Sequence, residues 1–221
     1  TQGILQKEAE NVHKLIKAAG CPIGPEANAT QVLADGLWVW GDRGVELAKV
    51  LSRRNGFYAY ESALLVRGID TVPPPRDIAT WNAPDTWLAQ YDSFELGPML
   101  CFAEDVFGNQ FAIASGRVML FDPETGNSEE VSETLKDWAR IVVDDCAYYT
   151  GYPVAHEWQV KNGALRPGTR LMPKIPFVCG GEFAVSNLAL IEEREGMAFR
   201  ASLARQIKDL PDGATINFKI E

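Results

Sequence analysis

Between residues 99 and 121 the strands and turns alternate so tightly that only one kind of sheet can hold them. "MLCFAEDV" runs into Gly108-Asn109, "QFAIA" into Ser115-Gly116, and "RVMLF" into "DPETGN". Breaks this short, each carrying a glycine, are hairpin connections, and hairpins join antiparallel strands. Phe111 and Ile113, then Val118 and Leu120, keep the period of two of a strand with one buried face. The stretch therefore reads as an antiparallel meander of three strands.

Helical patterns flank it. Leu5, Ala9, Val12, Ile16 and Ala19 recur at helical spacing before Gly20, and "CPIGPEANAT" then reads as a loop. "GVELAKVLSRR" predicts a second helix, closed by Asn55-Gly56 in the left-handed conformation. "FYAYESALLVRG" predicts a first strand. The proline triplet at 73–75 then forbids regular structure, and core packing is the expected place for Trp81 and Trp87. In "VSETLKDWARIVVDDCAYYTG" the residues Leu135, Trp138, Val142, Cys146 and Tyr149 form one apolar stripe. Ser132 is placed to cap that helix and Gly151 to end it. Beyond it "EFAVSNLALIEE", a helix through Phe199, Leu203 and Ile207, and "ATINFKI" predict a β-α-β extension. The order of elements favours an α+β fold, a mixed and mainly antiparallel sheet packed by helices, over a doubly wound parallel sheet. A helical N-terminus and core over 1–151 are expected, with the extension over 152–221 packed on the same domain.

The chain has 221 residues, enough to bury a core without disulfide staples, and 30 acidic against 21 basic residues give a net charge of −9. That balance disfavours nucleic acid as a partner; it either keeps the protein monodisperse in solution or steers an acidic face onto a basic partner, and charge alone does not separate the two. Cys21, Cys101, Cys146 and Cys179 are scattered without a C-x-x-C pair, as expected of free thiols in a reducing compartment. The amphipathic start does not resemble a signal peptide, and no run approaches about 18 apolar residues, so a cytoplasmic protein without membrane spans is expected.

Catalytic patterns are sparse. The two histidines are His13 and His156, and "HEW" lacks the second histidine of a zinc protease motif. No nucleophile elbow, P-loop or dinucleotide fingerprint occurs. Cys179 in "CGGEF" would need a nearby base to act as a nucleophile. "DPETGN" lacks the alternating ligands of a calcium loop and suits a turn with Pro123 in second position. Asp144 and Asp145 read as a solvated helix face. Glu104 and Asp105 could form a catalytic pair, but adjacent strand residues point to opposite faces. Arg117 is the one basic residue between Arg76 and Lys136 to accompany them. No metal or cofactor is expected.

The series "NGFYAYESALLVRG", "WNAPDTW", "LCFAEDVFGNQFAI", "RVMLFDPETGN" and "VSETLKDW", over roughly residues 43 to 142, resembles the SMI1/KNR4 family of the SUKH superfamily. The most specific part is the F-A-E-D-x-F-G-x-Q-F run at 102–111 with the strand that ends in "FDPETG". The resemblance implies a non-catalytic protein. Bacterial members of that family are typically immunity proteins that bind and neutralise a cognate polymorphic toxin, and fungal relatives act as regulatory scaffolds. The first expectation is therefore a monomeric immunity protein that occludes the active site of a basic, nuclease-like toxin. Glu104, Asp105, Trp81, Trp87 and Asp122 are its candidate partner contacts. A scaffold without a toxin partner is the alternative, and an enzyme built on the carboxylates and Cys179 is a third possibility.

Overall fold

The structure, a computed structural model, describes residues 11–211, 213 and 214. Six strands follow one another in chain order across a single sheet: β1 (Phe57–Ala59), β2 (Leu64–Val66), β3 (Met99–Glu104), β4 (Gln110–Ala114), β5 (Arg117–Asp122) and β6 (Asn127–Ser132). Every neighbouring pair is antiparallel, so the α+β class holds and this sheet has no parallel pair. β7 (Thr169–Pro173) and β8 (Leu188–Glu192) form a second, two-stranded antiparallel sheet. The main helices are α1 (Gly41–Arg53), α2 (Leu135–Asp144), α3 (Tyr152–Asn162) and α4 (Glu193–Ile207).

The meander is one strand longer than its pattern predicts. β6 pairs with β5 across the "DPETG" turn, where Gly126 takes a φ of 76° and its N–H donates to the Asp122 carbonyl at 2.8 Å. "FYAYESALLVRG" is a hairpin rather than one strand. Its turn runs through Tyr60, Glu61 and Ser62 with φ of 52°, 52° and 70°, three consecutive left-handed residues of which none is glycine. Such residues cost about 1–2 kcal/mol each, so other contacts must hold the turn. Gln159 of α3 donates to the Glu61 carbonyl at 2.8 Å and Arg170 of β7 to the Ser62 carbonyl at 3.3 Å.

Two faces of the sheet are packed differently. Leu100, Phe102, Phe111, Ile113 and Val118 join one core with Leu47, Ala48 and Leu51 of α1 and Leu135, Trp138 and Val142 of α2. Cys101, Ala112 and Phe121 face the opposite way, against Trp81, Trp87, Tyr91 and the α4 residues Met197, Ala201 and Ala204. The two tryptophans are thus core residues. Val106 and Phe107, past the end of β3, meet Ala155 and Trp158 of α3, Leu171 of β7 and Leu188 of β8 in a third cluster.

Several predicted boundaries shift for identifiable reasons. Residues 11–17 are helical and Leu15 is the side chain they bury, whereas Leu5 and Ala9 lie outside the described residues. Asn55 does not cap α1. It is buried between two loops, bonded to the Pro25 and Ile69 carbonyls and to the Ile69 N–H. Ser132 ends β6, and Thr134 caps α2 by accepting from the Asp137 N–H. That helix stops at Asp145, which caps a separate turn over Cys146–Thr150. In the extension, α3 and β7 precede the expected strand and helix, while "ATINFKI" falls almost wholly outside the described residues.

Gly151 joins the Cys146–Thr150 helix to α3 at a φ of 70°, and a Cβ there would lie 2.5 Å from the Phe107 ring. Gly151→Ala combines the left-handed penalty with overpacking against that ring and should cost about 2–4 kcal/mol. Urea denaturation would show it as a lower midpoint with an unchanged slope.

Candidate functional site

Glu104 ends β3 fully buried, with cations on both sides. Its Oε1 accepts from Arg170 Nε at 2.7 Å, and its Oε2 lies 3.0 Å from Arg67 Nη2 and accepts from Gln110 Nε2 at 2.9 Å. Gln110 is fixed in turn by Trp81 Nε1, which donates to its Oε1 at 2.9 Å, and the Arg67 guanidinium stacks 3.7 Å above the Trp81 ring. Arg67 also reaches Glu193 Oε2 at 3.2 Å, at the start of α4. Arg76 closes the network on Glu192 and Glu193 at 2.7 and 2.8 Å. Burial pushes the Glu104 carboxyl up, but Arg67, Arg170 and the donated hydrogen bonds outweigh it and hold the group down at about 2. Glu104 is an ionised tether between the sheet and the C-terminal extension.

Asp105 is buried too, on different partners. Its Oδ1 accepts from the N–H groups of Phe107 and Asn109 at 2.8 and 2.9 Å, and its Oδ2 from Asn109 Nδ2 at 2.7 Å. The side chain therefore builds the β3–β4 turn. Burial pushes its pKa up to about 7 against those hydrogen bonds. Gly108 at the turn packs on the buried Arg200 of α4: a Cβ would come within 3.3 Å of its guanidinium. Arg200 donates to the Leu171 carbonyl at 3.3 Å and feels the charges of Glu124 and Asp105.

These positions correct the predicted contact set. Glu104, Trp81 and Trp87 are each 1% exposed and lie inside the fold, out of a partner's reach, while Asp105, 4% exposed, meets the surface only as part of the lining of a groove. The acids are neutralised or hydrogen-bonded inside the fold, and the tryptophans pack between the sheet and α4. The two acids do diverge, Glu104 toward the arginines and Asp105 into its own turn. Asp122 alone is partly exposed, with its carboxylate accepting from Glu124 N–H and Thr125 Oγ1 at 2.8 Å.

Next to the turn lies a groove that the sequence did not mark. A concavity of about 410 Å³ is lined by Asp105, Phe107, Leu120, Tyr148, Val154 and Phe183 among others. A second of about 280 Å³ shares Phe107, Asn109, Leu120 and Phe183 with it and adds Asp122, Glu124, Phe177, Val178 and Arg200. Phe183 stacks on Phe177 with ring centroids 3.9 Å apart, lines both lobes and is 63% exposed. Phe107 meets both rings edge-on at 5.1 and 5.8 Å. Two further exposed carboxylates adjoin lining residues: Glu129 is the cross-strand partner of Leu120, and Asp145 accepts from the Tyr148 N–H at 3.1 Å. Phe183 belongs to the "CGGEF" run, where only the cysteine draws attention in the sequence.

The other candidates for chemistry do not converge. His156 Nδ1 lies 2.8 Å from Glu61 Oε2 on the exposed surface, with Tyr152 Oη donating to Oε1 at 3.3 Å. Cys179 has its pKa raised by burial and by Glu124. Among the described residues no group of three or more His, Cys, Asp or Glu could hold a metal ion, and no helix is long and apolar enough to cross a membrane.

Loss of one partner from a buried charged network leaves the others unpaired, so Glu104→Gln should destabilise the fold by about 3–5 kcal/mol. The depressed carboxyl also sets an acid limit. Its stabilisation is complete above the ordinary pKa of 4.5 and is lost as pH falls from there toward about 2. Denaturant titrations across that window should show stability falling in the wild type and a shallower fall in Glu104→Gln.

No family model matches this chain, and no curated protein does. Among solved structures it resembles Atu4351 from Agrobacterium tumefaciens, with a TM-score of 0.55 at 13% identity over 84% of this chain and 86% of that one. A likeness at this identity shows the fold alone, and it agrees with the α+β architecture.

Proposed function

We propose that the chain is an immunity protein of the SMI1/KNR4 type, which binds a cognate toxin stoichiometrically and covers its active site without catalysis of its own. The observation that carries this reading is the fate of the motif's carboxylates. An enzyme built on Glu104 and Asp105 would need them convergent and open to substrate. Here one neutralises Arg67 and Arg170, and the other holds a turn. What the same segment offers to the outside is shape: an aromatic groove beside the turn, on a protein of net charge −9. Interfaces gain affinity from a few aromatic anchors, and an excess of one charge speeds encounter with a partner of the other. A toxin that acts on nucleic acid or nucleotides has a basic cleft and suits such a binder.

Co-expression with the product of the neighbouring gene tests the reading. A 1:1 complex by size exclusion with light scattering, together with rescue of growth in cells making that product, is expected. A product that kills equally well with and without this chain, and forms no complex with it, would refute it. Association should also slow several-fold between low and physiological salt, as for an electrostatically steered pair.

A further inference from the structure

We infer that the groove lined in both lobes by Phe183 is the docking surface for the protein partner, and that it takes a segment carrying an apolar side chain next to Lys or Arg. This assignment rests on the binding reading above and adds the surface and the chemistry of what it receives. The larger lobe is walled by Phe107, Leu120, Tyr148, Val154 and Phe183, a set suited to an apolar anchor. Tyr148 and Phe183 are 69% and 63% exposed, so the apolar surface continues outside the lobes. A small molecule seated in one lobe would leave those rings in water, whereas a protein surface would cover them together.

The second lobe supplies the charge preference. Asp122 and Glu124 line it, Glu129 is exposed on β6 as the cross-strand partner of Leu120, and the exposed Asp145 accepts from the N–H of Tyr148 at 3.1 Å. Among the described residues the one cation lining this lobe, Arg200, is only 2% exposed and lies in the fields of Glu124 and Asp105. Glu124 is itself only 6% exposed, so the carboxylates that a ligand meets from solvent are the partly exposed Asp122 and the exposed Glu129, and an ammonium or guanidinium beside the apolar anchor is the complementary group. The rings add cation–π attraction for the same group.

Calorimetric titration of wild type, Phe183→Asp, Tyr148→Ala and Glu129→Lys against the purified product of the neighbouring gene tests the assignment. Trp38→Ala is the control, because Trp38 is 65% exposed but lines neither lobe. Phe183→Asp should weaken binding roughly thirtyfold or more and Tyr148→Ala roughly tenfold, with melting curves showing that both variants fold. Glu129→Lys should weaken binding several-fold at low salt, and Trp38→Ala should stay within about twofold of wild type. Wild-type binding that survives Phe183→Asp and Tyr148→Ala overturns the groove assignment and leaves the immunity reading standing. Absence of any wild-type complex overturns both. A self-associating wild type that Phe183→Asp renders monomeric would give the groove to a second copy of the chain and overturn the assignment to a different partner.

Discussion

Glu104 holds the two halves of the molecule in register. From the end of β3 it accepts from Arg170 in β7 and faces Arg67 beyond β2, while Arg67 reaches on to Glu193 at the head of α4. A buried carboxylate between guanidiniums is poor evidence of net stabilisation, since desolvation offsets much of the attraction. Its value lies in geometry: only one docking of the extension onto the sheet leaves all of these charges paired. Arg67 Nε and Arg170 Nη2 still lack hydrogen-bond partners, so the network is not fully satisfied even in that arrangement.

The run from 101 to 113 serves two purposes, divided by residue. Glu104 and Gln110 lie in the charged interior, whereas Asp105, Phe107 and Asn109 shape the turn that floors the groove. Asp105 fixes that turn through three hydrogen bonds, and Gly108 lets Arg200 approach from beneath. A surface whose floor is held this way can present exposed rings at low entropic cost on binding, which is how preorganised interfaces gain affinity.

The meander was legible because its signals are local: alternation within each strand and a glycine at each turn. The β1–β2 hairpin was not, because its turn uses Tyr60, Glu61 and Ser62, whose left-handed conformation is held by residues about a hundred positions away. Helix α3 begins with Pro153 in its first turn, a permitted start that looks like a break when no apolar stripe follows. The site suffered from the same limitation. Arg67 and Arg170 lie outside the stretch between Arg76 and Lys136 and meet Glu104 only once the chain has folded. Phe183 and Arg200 had no sequence signature, since an exposed ring and a buried arginine each reverse the usual burial preference of their residue type.

The left-handed turn at Tyr60–Ser62 bears on how such a protein can diversify. Its strained backbone is stabilised from α3 and β7, so the boundary near residue 151 is no seam for recombination. A shuffled chain that joined this core to a foreign C-terminal half would lose the supports of the turn along with the partners of Glu104. Under the docking proposal, variation that alters recognition has an easier route through substitution at exposed positions such as Tyr148 and Phe183, where the backbone need not change.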